Sequence, residues 1–412
     1  MSLKSYDTII IGGGAAGFAA ASFSDKRSRV LIIERNGEPM KKLAITGKGR
    51  CNLTNNCDTE TILKNITKNP QFMLSSLAAF SAKDTMSFFE ELGVLLKTER
   101  GGRVFPASDK SYDIVNTLKN YALKQCGVEI VTDRARELIV ENAVIKGVKC
   151  YNGVYNAPKV IIATGGMSYP NTGSTGDGYQ LAAKAGHTIT PIAPALVPLE
   201  TKEDFSDIAG LTLKNVRLSL RQGIKTIFAE QGELLFTHFG VSGPLVLTAS
   251  CYINQPITDD CRLSIDLKPA LEEKTLDNRI LRDFSANKNR QLKNALNALL
   301  PEKLIDIFVK RSGIKPEKKV NEITKTERRR LLELFKGFEL TVTASRPIDE
   351  AVITDGGVSV KEINPKTMES RVVKGLHFAG EVIDVMGLTG GFNLQIAFST
   401  AYAAAKSSHV NY

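Results

Sequence analysis

The sequence predicts an α/β protein: a Rossmann-like domain formed from both chain ends, with an inserted β-barrel-like plus α-helical domain. Three observations predict it. A strand, glycine turn, helix and second strand open the chain over residues 6–34. Near residue 192 the texture changes to prolines and short alternating strands. Strand and small-residue helix patterns of the first kind then return over 376–407.

In the opening unit, Ile9, Ile10 and Ile11 meet Gly12-x-Gly14-x-x-Gly17, and a later apolar run ends in Glu34. Gly12 permits a tight turn, Gly14 lets the backbone approach a pyrophosphate, and Gly17 lets helix pack on sheet. The helix N-terminus offers unpaired N–H groups and a positive dipole end. Glu34 stands where a carboxylate accepts from ribose hydroxyls. Flanking strands and acid agree with the glycines, so this unit predicts a bound adenine dinucleotide.

A polar, glycine-rich loop follows at 41–56, then helices near 81–93 and 111–126 around a short strand pair at 95–106. A strand at 128–133 leads into alternating segments at 135–141 and 143–151, and KVIIATGG (159–166) is an apolar strand ending in glycines. This order suits the FAD-binding variant of the fold, in which a meander serves as one crossover. The expected division is 1–191 plus 338–412 for the FAD/NAD(P)-binding domain. The insert takes 192–337, barrel-like over 192–267 and helical over 268–337.

With 412 residues, 42% hydrophobic and 24% charged, the composition is that of an ordinary globular protein with a large core. No apolar run approaches the roughly 18–20 residues of a membrane span, and the apolar stretch at 9–23 is a nucleotide turn rather than a signal, so a cytoplasmic location is expected. Net charge is +10, and residues 262–340 carry 19 Lys/Arg against 12 Asp/Glu. No nucleic-acid motif accompanies that charge, so a solvated helical face is favoured and nucleic acid is not the expected partner. Cysteines 51, 57, 126, 150, 251 and 261 show no zinc-type spacing; free thiols and no metal are expected. Cys51 and Cys57 read as packed thiols: five residues separate them, and no second glycine unit for NAD(P)H follows. NAD(P)H as electron donor is therefore unsupported by a motif.

The motifs GGGAAG (12–17), ITGKGRCNLTN (45–55), GRVFPAS (102–108), STGDGY (174–179), FTHFGVSGP (236–244), GGVSVKEINP (356–365) and FAGEVIDVMGLTGGFN (378–393) run in order along nearly the whole chain. In them the sequence resembles the BaiN/YhiN-like bacterial FAD-dependent flavoproteins, which include proteins described as aminoacetone oxidases and bile-acid ene reductases. The resemblance implies an FAD-dependent oxidoreductase moving hydride between flavin N5 and a small organic substrate, by C=C reduction or amine oxidation. Alternatives are a tRNA-modifying flavoprotein using the basic insert and a non-catalytic redox sensor. Lys48 stands where many relatives have glycine.

The expected FAD-contacting residues fall in six segments. The first turn supplies Gly12, Gly14, Ala15, Ala16 and Gly17, with Glu34, Arg35 and Lys42 beyond it. The 45–55 loop supplies Gly47, Gly49, Arg50, Cys51 and Asn52, where glycines bring N–H groups near a ligand and Arg50 answers phosphate charge. Asp133 ends the strand at 128–133; Thr164, Gly165 and Gly166 end the strand at 159–166. Gly380 and Glu381 suit the ribityl–phosphate chain. The helix after Gly391, with Phe392 and Asn393, aims N–H groups at the flavin's pyrimidine end. Ser174, Thr175 and Asp177 read as an N-cap cluster. Catalytic candidates are His238, Arg103 and Tyr169, as proton donors or substrate anchors.

Overall fold

In the computed structural model, residues 4–124, 128–253 and 256–407 are described. Cys126 and the end of the helix expected to reach it lie outside those residues. The chain divides by its contacts into two compact units, Met1–Ala195 with Pro347–Tyr412, and Leu196–Arg346.

The first unit is built on a five-stranded parallel sheet in the order Leu376–Phe378, Lys159–Ile162, Thr8–Ile11, Val30–Glu34, Val128–Thr132. Four of these strands, all but Val128–Thr132, are buried at every position, as continuous apolar runs in parallel sheets are. The helix Ala15–Phe23 packs against Ser111–Lys124 and against the C-terminal helix Phe392–Lys406. The expected meander is present as antiparallel Ala135–Glu141, Val144–Cys150 and Val154–Asn156. It connects Val128–Thr132 to Lys159–Ile162 and buries Ile145 and Val148.

The C-terminal helix is buried on most of its circumference, which its small residues allow. It also encloses polar groups. Gln395 Oε1 accepts from Thr54 Oγ1 at 2.6 Å and Thr85 Oγ1 at 2.9 Å, while its Nε2 donates to the Phe80 carbonyl at 3.2 Å. Ser399 Oγ donates to the same carbonyl at 2.7 Å. Buried amides persist where every polar atom has a partner.

The second unit contains a closed six-stranded barrel: Leu199–Thr201, Gly240–Ser242, Lys225–Thr237, Thr212–Gln222, Cys261–Asp266 and Phe338–Ser345, the last pairing back to the first. Cys261–Asp266 alternates buried and half-buried positions, the period of a barrel wall with one filled face. Phe338–Ser345 was expected in the first domain. It closes the barrel instead, because Arg262–Ile265 needs a partner on its free edge. Helices Glu273–Ala286, Glu302–Ser312 and Lys325–Lys336 share one core with the barrel, centred on Leu263, Ile265, Ile280, Phe308 and Phe335.

Candidate functional site

The three glycines of the first turn do three different things. A β-carbon on Gly12, whose φ is +104°, would sit 2.6 Å from the Ala163 carbonyl oxygen. This close approach seats the turn against the end of the neighbouring strand. A β-carbon on Gly17 would fall 1.9 Å from the Gly12 oxygen, so helix and turn touch only without a side chain. A β-carbon on Gly14 would meet nothing within 4 Å. Gly14 is the N-cap of Ala15–Phe23, no side chain caps that helix, and its first turn holds no acid. Open space before unsatisfied N–H groups fits a phosphate-bearing ligand. Ala15 begins this helix, and Ala16 packs under Gly380, whose β-carbon would lie 2.9 Å from that of Ala16.

A second uncapped helix start comes from the other chain end. Gly391, with φ of +97°, is the N-cap of Phe392–Lys406 and has no side-chain cap. Its α-carbon lies so near Thr54 that a β-carbon would meet the Thr54 oxygen at 2.4 Å. Asn55 Nδ2 donates to the Gly390 carbonyl at 3.0 Å. With the amide orientation assigned from its hydrogen bonds, Asn52 accepts from Gly391 N–H at 3.0 Å and donates to the carbonyls of Thr54 and Val104. The loop expected near the flavin therefore grips the loop that starts the C-terminal helix. Asn393, expected to cap the helix or meet the ring, instead pins its own loop: Nδ2 donates to the Gly387 oxygen at 2.7 Å, and Oδ1 accepts from Gly387 N–H at 3.0 Å. Phe392 is buried behind that loop.

Glu34 is buried, and its carboxylate is folded onto the turn. Oε2 accepts from Gly13 N–H at 2.6 Å and Oε1 from Asn36 N–H at 2.8 Å. The charged side chains have partners of their own. Arg50 is bound to Glu99 and Asp109 and lies 4.1 Å over the Phe105 ring, so its charge is balanced within the protein rather than held for a phosphate. Arg35 and Arg134 share Asp177. That pairing replaces the expected capping cluster, since Gly176 is the N-cap of Asp177–Lys184 and no side chain caps it. Lys42 donates to Glu381 Oε2 at 2.7 Å and to Ser168 Oγ at 2.8 Å, while Glu381 Oε1 accepts from Thr354 N–H at 2.9 Å. This hub joins residues 42, 168, 354 and 381 beside Gly165 and Gly166. A β-carbon on Gly165 would lie 3.9 Å from Glu381, and one on Gly166 would strike Thr354 Oγ1 at 2.3 Å. Thr164 continues the strand end that Gly12 approaches.

The Asp133 carboxylate is used locally, accepting from Arg134 N–H at 2.7 Å and Asn152 N–H at 3.1 Å to start the meander. The expected loop at 41–56 contains a helix, Lys41–Gly49, broken at Thr46, Gly47 and Lys48. Gly47 and Gly49 have φ of +60° and +82°, and Lys48 has φ of +59°. Lys48 thus holds a left-handed backbone that glycine adopts at less cost. Cys51 is fully buried, and burial pushes its thiol up to about 12; Cys51 and Cys57 are both free. Such a thiol is inert.

The catalytic candidates are not gathered together. Arg103 pairs with Glu99 at 3.6 Å and donates to the Arg100 carbonyl. His238 is exposed at the turn between two barrel strands of the second unit. Tyr169 is half-buried next to Ser168 of the Lys42–Glu381 hub, with φ of +53°. Sequence reasoning missed Asn55, Ser168, Thr354 and Gln395. An amide among small apolar residues of the C-terminal helix was the available signal for Gln395; the others are fixed by partners far along the chain. Among the described residues, no group of acids, histidines and cysteines is arranged to hold a metal, and no helix is long and apolar enough to cross a membrane.

The chain is 31% identical over 409 residues to a 3-dehydro-bile acid delta(4,6)-reductase of Clostridium scindens, covering 97% of this chain and 98% of the relative. It is 33% identical over 414 residues to a ribosomal RNA dihydrouridine synthase of Escherichia coli, covering 98% of each. Among solved structures, a 3-ketosteroid delta1-dehydrogenase of Sterolibacterium denitrificans shares the fold at a TM-score of 0.52 and 12% identity, over 98% of this chain and 99% of that one. The model of the HI0933-like protein Rossmann domain matches residues 6–407, and the chain belongs to that family of FAD-dependent oxidoreductases.

Proposed function

We propose that the protein holds FAD between the Gly12–Gly17 turn and the Gly391 helix start, and reduces a carbon–carbon double bond conjugated to a carbonyl. The observation that carries the reading is a pair of helix N-termini from opposite chain ends that no side chain caps, the first with open space at Gly14, the second held at Gly390 and Gly391 by Asn55 and Asn52. Bound there, FAD supplies two-electron hydride chemistry. The bond type is supported by the two relatives' names. A 3-oxo bile acid unsaturated at positions 4 and 6 and the uracil ring of RNA both carry a C=C bond next to a carbonyl.

The protein's own residues then bind, orient and move a proton. N–H groups at the start of Ala15–Phe23 would hold the pyrophosphate, and the dipole of Phe392–Lys406 would stabilise negative charge on the reduced flavin. Glu34 would accept a hydrogen bond from the ribose. Tyr169, in a left-handed backbone conformation beside Ser168, is the proton donor, its phenol protonating the carbon next to the carbonyl.

The test is anaerobic. Holoenzyme reduced with dithionite is mixed with a 3-oxo-4,6-diene steroid and, separately, with unmodified ribosomal RNA. At least one restores the oxidised flavin spectrum and gains two hydrogens, and Tyr169→Phe slows that step by about a hundredfold. Failure of both, with bleaching of the oxidised enzyme by primary amines, would reverse the proposed direction.

A further inference from the structure

Resting on that reading and naming its partner, we propose that the helical part of the second unit carries an RNA-binding face made by Lys288, Arg290, Lys293, Lys315 and Lys319. Two segments distant in sequence are fastened side by side there. Leu292 N–H donates to the Lys318 carbonyl at 2.8 Å, Val320 N–H to the Arg290 carbonyl at 3.0 Å, and Asn321 N–H to the Lys288 carbonyl at 3.3 Å. Gln291 and Lys319 form a β-bridge. The five cations thus stand on one fixed backbone frame, and all five are exposed.

Their surroundings set them apart from other cations of the same unit. Arg279 is paired with Asp283 at 2.9 Å, Lys318 with Glu327 at 2.7 Å, Arg328 with Asp277 at 2.7 Å and Lys336 with Asp266 at 2.5 Å. Among the described residues, none of the five proposed cations has an ion pair, and Glu317 is the acid in segments 287–294 and 315–321. Charge left unbalanced on a rigid frame suits a polyanion. The kind of polyanion follows from what lies between the cations. Asn289, Asn294 and Asn321 are exposed amides that hydrogen-bond to phosphates and 2′-hydroxyls. No large apolar side chain is exposed in either segment, which disfavours a lipid surface. No aromatic residue stands in either segment, so bases do not stack there. Recognition is therefore of the backbone of folded RNA, steeply salt-dependent and weakly sequence-selective.

The experiment uses full-length holoenzyme and unmodified ribosomal RNA transcribed in vitro, with affinity measured by filter binding across a KCl series. The test variant is K288Q/R290Q/K293Q/K315Q/K319Q. Its control, K26Q/K83Q/K110Q/K146Q/K366Q, removes the same charge from exposed lysines of the first unit. The test variant loses at least about tenfold in affinity at physiological salt, and its log–log salt slope becomes shallower by about 3 to 5; the control changes little. Flavin content and thermal melting stay as in the wild type. Equal losses in both variants, wild-type RNA affinity in the test variant, or tighter binding of polyglutamate or anionic vesicles than of RNA would each overturn the proposal. RNA binding that depends on these five residues, without reduction of any conjugated carbonyl, would instead sink the proposed reaction and leave this face standing.

Discussion

A side chain at Gly14 enters open space, whereas one at Gly17 collides with the Gly12 carbonyl, and the two substitutions therefore fail differently. Gly14 has φ of −86°, which any residue adopts, so Gly14→Val folds with little loss of melting temperature but purifies without flavin absorbance. Gly17→Ala forces helix and turn apart and costs about 1–3 kcal/mol of stability by chemical denaturation, the range for overpacking. A yellow Gly14→Val, or a Gly17→Ala as stable as wild type, contradicts these assignments. The close approaches at Gly12 and Gly17 were legible because the glycine spacing stands between two apolar strands and ahead of an acid. The partners of Arg50, Lys42 and Glu381 were not, since Lys42 and Glu381 meet across almost the whole chain. Sequence shows that a charge exists; only the fold shows what neutralises it.

At the scale of elements, the C-terminal helix was legible from its small residues, yet its buried amide sets its register. Gln395 joins Thr54 of a short strand to Phe80 and Thr85 of two consecutive helical segments, all more than 300 positions before it in the sequence. Gln395→Leu fills the same space but leaves two hydroxyls and a carbonyl with fewer partners, and lowers unfolding free energy by about 2–4 kcal/mol. It also weakens FAD, because Thr54 abuts Gly391 at the helix start. Urea titration with flavin fluorescence reads both effects; a change confined to stability would separate this network from the cradle. The 41–56 segment was harder to read. Its glycines were visible, but a helix interrupted at Thr46, Gly47 and Lys48 carries no periodic signal.

Across the whole molecule, the two-part plan and the insert were readable from changes in texture, whereas the ownership of Phe338–Ser345 was not. A strand pattern does not say which sheet edge it closes. The first unit also has a stability term that varies with pH. Lys159 is buried and donates to the Ala405 and Ser407 carbonyls at 3.0 and 2.9 Å, and burial pulls its ammonium down to about 8. Below about pH 8 the lysine is charged in both folded and unfolded states, and the cost of burying that charge is present in full. Between about 8 and 10.5 the unfolded chain binds more protons, so this group's contribution to stability rises with pH. The stability of wild type relative to Lys159→Met therefore improves by up to about 3 kcal/mol across that window. Denaturation curves at pH 7.5 and 10 check it, and a flat difference would mean that Lys159 keeps an ordinary pKa.

The pairing of Leu199–Thr201 with Phe338–Ser345 makes the chain's entry to the barrel unit and its exit from it immediate neighbours. To the host polypeptide, about one hundred and fifty residues therefore amount to a hairpin, closing a gap no wider than two adjoining strands. A module mounted this way is free to change size, charge and clientele over evolutionary time while the host's threading stays as it was.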